Sequence, residues 1–135
     1  MISGAVTVQT SKTMELVDIT HLLSTELRQS PVKQGIFLLF NPHTTAGLTI
    51  NEGADPDVRV DIIDGFKKMV PMNHPFKHME GNSPAHIMAS LMGSSLTIAI
   101  ENGGFVLGTW QKIFFCEFDG PRTRKVHYHL ITTHE

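Results

Sequence analysis

The longest uninterrupted apolar run in the chain, Ile36 to Phe40, has the length of a β-strand and lies between Pro31 and Pro42. A helix that crosses a bilayer needs about 20 apolar residues in succession. The sequence therefore predicts no membrane-spanning helix. With Gly35 ahead of it, the run predicts a buried strand, since strands covered on both faces read as continuous apolar stretches. The chain around it has 135 residues, 41% hydrophobic and 18% charged, which excludes a disordered polymer and predicts one globular domain over 1–135. A chain of this length buries roughly two-thirds of its unfolded surface and needs no disulfide or metal to fold.

The N-terminal residues MISGAVTVQT lack a basic region followed by an apolar stretch, so no signal peptide is expected. Cys116 is the single cysteine, which rules out an intrachain disulfide and suits a cytoplasmic, reducing setting. A net charge of −2 and a pI near 6.4 give no broad electrostatic footprint for nucleic acid.

The pattern of elements predicts an α+β fold. Residues 5–19 alternate loosely and read as two short strands around Ser11 and Lys12. Thr20 is placed to cap a helix carrying Leu22, Leu23 and Leu27. Leu48 and Ile50 alternate with Thr49 and Asn51 as a strand. Asp55 followed by Pro56 marks a second helix start, with Val58, Ile62, Phe66 and Met69 recurring at helical spacing before Pro71. Residues 72–82 read as a loop. Ser83 and Pro84 repeat the cap-then-proline signal for a third helix, which Gly93 stops. Leu96 to Ile100 reads as a strand, and Asn102-Gly103 is a strong hairpin signal before Phe105. Residues 111–118 and 125–132 complete the strands. The order, roughly ββαββααβββ without regular βαβ repeats, predicts mixed or antiparallel sheets.

Histidine is the over-represented chemical group, with eight in the chain, and His21 and His134 lie away from the polar clusters. In 41–55 (NPHTTAGLTINEGAD), His43 follows the apolar strand beside Thr44 and Thr45, and Asn51, Glu52 and Asp55 follow one short strand later. Rigid strands with polar ends commonly present a site there, and ordinary loop polarity with a helix cap gives the same pattern. In 74–86 (HPFKHMEGNSPAH), His74, His78 and His86 fall within thirteen residues. Neutral imidazole is a common zinc ligand, and a catalytic zinc takes about three protein ligands and one open position. Pro75 and Gly81 argue against one continuous helix through this stretch.

The other polar features have plainer readings. His127 and His129 share a strand face with Lys125 and read as half-exposed. Trp110 reads as core or interface. Cys116 reads as a small buried hydrophobe. Arg122, Arg124 and Lys125 form a basic cluster, read as a solvated hairpin tip or a phosphate grip. The helix start at Ser83 is a second place for an anion. Asp57, Asp61 and Asp64 read as a solvated helix face, with Asp57 also matching the helix dipole.

Three stretches in the same order, NPHTTAGLTINEGADPDVRVD (41–61), HMEGNSPAHIMASLMG (78–93) and GTWQKIFFCEFDGPR (108–122), resemble the YjbQ-like family. The resemblance runs over nearly the whole chain. It implies an α+β fold with two packed sheets, a homotrimer about a threefold axis, and a metal, commonly assigned as zinc, held by His43, His78 and His86. It also implies a secondary thiamine-phosphate synthase activity, linked to at least one bacterial relative.

On that picture three imidazoles leave zinc an open position from which to polarise a phosphate oxygen or a water. Glu52 is then the candidate base or partner to a ligating histidine. Asn51, Thr44 and Asn82 would orient substrate, with Trp110, Gln111, Glu117 and Arg122 completing the binding surface, in part across a subunit boundary. Diphosphate departure is ordinarily assisted by magnesium with oxygen ligands, whereas imidazoles favour zinc. The expectation is a metal-dependent enzyme for a small phosphorylated or heterocyclic substrate. Its alternatives are a zinc hydrolase with a metal-bound water and a non-enzymatic binding protein for a small anionic metabolite.

Overall fold

Ile113 and Phe115 point into one hydrophobic core, and Phe114 and Cys116 into another. In the computed structural model, which describes residues 1–133, the segment carrying them is the middle of a three-layer arrangement. His134 lies outside the described residues. In chain order the elements are β1 (Ile2–Gln9), β2 (Glu15–Asp18), α1 (Thr20–Arg28), β3 (Gly35–Phe40), β4 (Ala46–Glu52), α2 (Pro56–Met69), α3 (Ser83–Met92), β5 (Ser95–Glu101), β6 (Gly104–Phe105), β7 (Gln111–Glu117) and β8 (Thr123–Thr132). Five strands form one sheet in the order β1-β8-β3-β5-β6, and three form the other in the order β2-β7-β4. Every ladder is antiparallel. The fold is α+β with two sheets and three helices among the described residues, as expected, and the short β6 is the return arm of the Asn102–Gly103 hairpin.

The first core lies between the sheets. Phe37, Leu39, Val126 and Leu130 meet Leu48, Ile113 and Phe115, and Leu23 and Leu27 of α1 close the side. The second lies on the far face of the smaller sheet. There Leu16, Phe114 and Cys116 meet Met88 of α3 and the half-buried Ile62, Ile63 and Phe66 of α2. Full burial of one large apolar side chain contributes about 1.5–3 kcal/mol, so β7, buried on both faces, anchors both layers.

The strand from Gly35 to Phe40 corrects the sequence reading. Only one of its faces is buried. Phe37 and Leu39 are fully covered, while Ile36 is 36% and Phe40 45% exposed. The run is continuous because apolar residues also occupy the outer face. Ile36 stands opposite Ile131 there, and Phe40 opposite His127. The strand buried on both faces is β7 instead.

The helix caps divide. Asp55 accepts the Asp57 N–H at 2.9 Å, with Pro56 behind it. Thr20 is the first helical residue, not the cap: Asp18 accepts its N–H at 2.9 Å. Its Oγ1 instead accepts the Ile113 N–H at 2.7 Å, fastening α1 to β7. For α3 the cap position is Asn82, and Ser83 is its first residue. Met69, expected on the apolar face of α2, points outward. The β5–β6 turn has φ of 51° at Asn102 and 75° at Gly103, the positive pair of a tight hairpin. Among the described residues, no helix is long and apolar enough to cross a membrane.

Candidate functional site

Helix α3 lies so close to β4 that a Cβ on Gly47 would stand 2.8 Å from Met92 Cβ and 3.0 Å from the Gly93 carbonyl oxygen. Gly93, at φ 98°, turns the chain out of α3, and its carbonyl accepts the Leu48 N–H at 3.0 Å. This contact brings the loop before β4 against the N-terminal half of α3. A cleft of about 410 Å³ opens there, lined by Pro42, His43, Thr44 and Thr45 from the loop, His78, Glu80, Asn82 and His86 from the α3 entrance, and Arg122 and Arg124 from β8 and its approach.

The loop is held by its own first residue. Asn41 is buried; its Oδ1 accepts the His43 N–H at 3.0 Å and its Nδ2 donates to the Ala46 carbonyl at 2.7 Å. The His43 ring is held from the other side, where the Lys125 N–H donates to Nε2 at 3.0 Å. Burial first, and then the Arg124 charge, hold the His43 pKa below that of an ordinary histidine, against the opposing pulls of the Lys125 backbone and then of Glu117. At the α3 entrance, His78 and His86 stand edge to face with ring centres 5.4 Å apart. Asp119 joins the remaining wall: its carboxylate accepts from Asn82 Nδ2 at 2.9 Å and Arg122 Nη2 at 2.8 Å.

A family model described as "UPF0047 protein YjbQ-like" matches residues 4–133. The chain belongs to the YjbQ-like UPF0047 family. It is 52% identical to UPF0047 protein MJ1081 of Methanocaldococcus jannaschii over 92% of this chain and 90% of that protein. It is 46% identical to UPF0047 protein YugU of Bacillus subtilis over 92% of this chain and 95% of that one. Among solved structures, a YjbQ/UPF0047 family protein from Clostridium acetobutylicum superposes with a TM-score of 0.91 at 53% identity, covering 94% of this chain and 98% of the other. A protein from Aeropyrum pernix superposes with a TM-score of 0.93 at 32% identity, covering 98% and 100%.

In this YjbQ-like chain the expected site residues fall into three places. His43, Thr44, His78, Asn82, His86 and Arg122 share the cleft. Glu117 lies under it, wholly buried, in an ion pair with Arg124 that involves both carboxylate oxygens. Thr10 Oγ1 donates to the same carboxylate at 2.8 Å, so Glu117 is an internal counter-ion and not a face of the cleft. Burial alone would raise its pKa; the bonds from Arg124, Thr10 and the Asp119 N–H outweigh that and lower it. Arg124 is 4% exposed, which corrects its reading as part of a solvated hairpin tip. It also donates to Thr45 Oγ1 at 2.9 Å.

Asn51, Glu52, Trp110 and Gln111 form the third group, at the opposite end of the smaller sheet. Glu52 pairs with Gln111 in the β4–β7 ladder, and the Gly53 N–H bonds the Trp110 carbonyl at 2.8 Å. Six strand steps lead from Ala46, next to the cleft-lining Thr45, to Glu52, about 20 Å at the usual rise. Within one chain Glu52 is therefore remote from the histidines. Trp110 is 62% exposed, a surface residue and not core. His74 packs against Phe76 with ring centres 4.7 Å apart and does not line the cleft. His127 and His129 lie half-buried on the outer face of the large sheet, as read from the sequence. Glu80, Asp119 and the Glu117–Arg124 pair were not assigned these places by the sequence reading. Glu80 was legible as the carboxylate between His78 and Asn82, and the other two required the fold.

The three-imidazole zinc set implied by the family resemblance does not match this arrangement. Two imidazoles on one tetrahedral zinc, with bonds of about 2.0–2.1 Å, set their ring centres roughly 5 Å apart. His78 and His86 meet that spacing. His43 has its Nε2 occupied by the Lys125 N–H. Among the described residues, no three His, Cys, Asp or Glu side chains are grouped so as to hold an ion.

Proposed function

We propose that this chain is an enzyme acting on a small phosphorylated substrate in the His43–His78–His86 cleft. Thiamine-phosphate synthesis is the most concrete reaction to test. The observation that carries this reading is the cleft itself. Three imidazoles, the Arg122 guanidinium, the Thr44 hydroxyl and the Asn82 amide face a space of about 410 Å³, large enough for a small metabolite. Arginine and imidazole N–H groups are suited to phosphate oxygens.

In the proposed reaction the bond between the pyrimidine methylene carbon and the diphosphate oxygen breaks, and its electron pair leaves with the diphosphate. The thiazole nitrogen lone pair forms the new C–N bond, giving the thiazolium. The protein's part is to hold the two partners in line and to stabilise negative charge gathering on the departing group. Arg122 is steadied for this by Asp119, which accepts from its Nε through the backbone carbonyl and from its Nη2 through the carboxylate, both at 2.8 Å. Magnesium, with its preference for oxygen, would accompany the diphosphate.

The reading extends to assembly and setting. A homotrimer is supported by the outer face of the large sheet, where Ile36, Phe40 and Ile131 are exposed. Assembly also offers a route by which Glu52 and Trp110 of one chain reach the cleft of another. A cytoplasmic setting is supported by the single, buried Cys116 thiol.

The test is to incubate the purified, untagged chain with the pyrimidine methyl diphosphate and the thiazole phosphate, with and without magnesium, and to measure thiamine phosphate. Product that disappears in Arg122→Ala supports the reading. No product in either condition overturns this reaction. If the phosphorylated compounds still bind, the chain is then a binding protein for a small anion.

A further inference from the structure

Histidine binds metals, takes protons and donates hydrogen bonds, and which of these it does depends on what its two ring nitrogens already touch. At His43 one nitrogen is committed. The Lys125 N–H points at Nε2 from 3.0 Å, and a backbone amide is always a donor, so Nε2 must be the acceptor. The proton of the neutral ring therefore sits on Nδ1. The ring is not free to exchange these roles. Asn41, buried and bonded at both ends of its amide, fixes the backbone from His43 to Ala46, and β8 fixes Lys125. Among the described residues Nδ1 has no protein partner, and it is absent from the fully buried atoms that lack one, so it reaches solvent on a residue that lines the cleft. The same contact requires the neutral ring, because an imidazolium has no lone pair with which to accept the Lys125 N–H.

We infer that His43 is a fixed, neutral hydrogen-bond donor whose Nδ1–H recognises an anionic oxygen of the substrate, and that it is neither a metal ligand nor the proton acceptor of the site. The inference rests on the cleft being the substrate site. It divides the three histidines by role: His78 and His86 face each other at the α3 entrance, and His43 serves the oxygen end of the ligand from the sheet side. A neutral imidazole suits that task, since it offers a hydrogen bond without surrendering a proton to the bound oxygen.

The test uses nitrogen NMR of the imidazole groups in the full-length wild-type chain near neutral pH, with inorganic phosphate as the probe and then zinc. The expected result is the Nδ1–H tautomer for His43, an Nδ1 signal that moves on adding phosphate, and no change at His43 on adding zinc. Two variants give an independent readout. Gln can accept the Lys125 N–H through its carbonyl and donate through its amide, so His43→Gln should keep phosphate affinity within about twofold, whereas His43→Ala should lose roughly tenfold.

An Nε2–H tautomer overturns the inference, as do an Nδ1 signal indifferent to phosphate, a zinc-dependent shift at His43, and a Gln variant as weak as the Ala variant. If His78 and His86 still respond to phosphate in any of those cases, the cleft remains an anion site and only the role of His43 falls. If no cleft histidine responds, the substrate-site reading falls with it.

Discussion

The Arg124 guanidinium and the Glu117 carboxylate meet beneath the cleft floor at a point where neither side chain reaches solvent in any substantial degree, with 4% and 0% exposure. Arg124 is shared between two tasks. It neutralises Glu117, and it donates to Thr45 beside the His43 loop. A buried ion pair gives weak net stabilisation when intact, but removal of one partner leaves an uncompensated charge and costs about 3–5 kcal/mol. Glu117→Gln is therefore expected to lower the melting temperature sharply and to loosen the cleft floor, seen as faster amide exchange at Thr45 and Lys125. A variant that melts with the wild type would show that the pair does not hold the floor.

The same pair sets an acid limit. The Glu117 pKa is lowered in the folded chain relative to its ordinary value of 4.5. Its contribution to stability is therefore fully present above the unfolded-state pKa and is lost as pH falls through the lower, folded value. Chemical denaturation followed from neutral pH downward should show stability decreasing below pH 4.5 in the wild type. Glu117→Gln, already weaker, should show a flatter acid limb. Parallel acid limbs would assign the loss to other carboxylates.

Gly47 tests how the cleft is shaped. Its missing side chain admits Met92 and the Gly93 carbonyl, and Met92 Cβ is less easily moved than the tip of a flexible chain. Gly47→Ala should separate α3 from β4, cost about 1–3 kcal/mol as an overpacking change, and weaken phosphate binding in step. Retained stability and retained binding would mean that α3 is free to give way without disturbing the histidines it carries.

The layers of this fold were legible in the sequence where local chemistry decides them. The Asp55–Pro56 helix start, the Asn102–Gly103 hairpin and the alternation of β8 each follow from a few adjacent residues. The sequence was misleading where one pattern has two causes. A continuous apolar run reads as a strand covered on both sides, yet Ile36 and Phe40 are apolar residues on an outer face. The basic cluster at 122–125 reads as solvated because its charges are adjacent in sequence. Strand alternation turns Arg124 inward while Lys125 remains outside, and the partner that makes this tolerable, Glu117, lies on another strand. Glu52 shows the limit at longer range: it is nine residues from His43 in sequence, but an extended strand carries it to the far end of the sheet.

Zinc separates the roles of the histidines. The 5.4 Å between the His78 and His86 rings suits two ligands on one ion, and His43 is held elsewhere by the Lys125 amide. Zinc titrated into metal-stripped protein should bind weakly, since two imidazoles are fewer than the usual protein ligand count. The affinity should fall in His78→Ala and in His86→Ala and should be unchanged in His43→Ala. Tight binding lost equally in all three variants would restore a three-imidazole centre, and with it the metal-dependent form of the proposed enzyme.

The exposed face of the large sheet bears on assembly. Ile36, Phe40 and Ile131 lie on one surface, with Ile36 and Ile131 directly opposed across the β3–β8 ladder. An antiparallel sheet with one solvated face normally carries polar residues there, and apolar groups gathered on such a face mark a contact surface. Light scattering of the wild-type chain should give three times the 15.0 kDa chain mass. Phe40→Asp should shift that mass toward the monomer, because a charge buried in an apolar contact is left without a partner. Phe40 points away from both cores, so the fold should survive, and circular dichroism checks that it does. If the trimer completes the site by bringing Glu52 or Trp110 of one chain to the histidines of another, the monomeric variant should also lose turnover while retaining phosphate binding. A wild-type chain that stays monomeric at high concentration would leave Glu52 and Trp110 stranded about 20 Å from the cleft at the usual strand rise, and would remove both from the proposed mechanism.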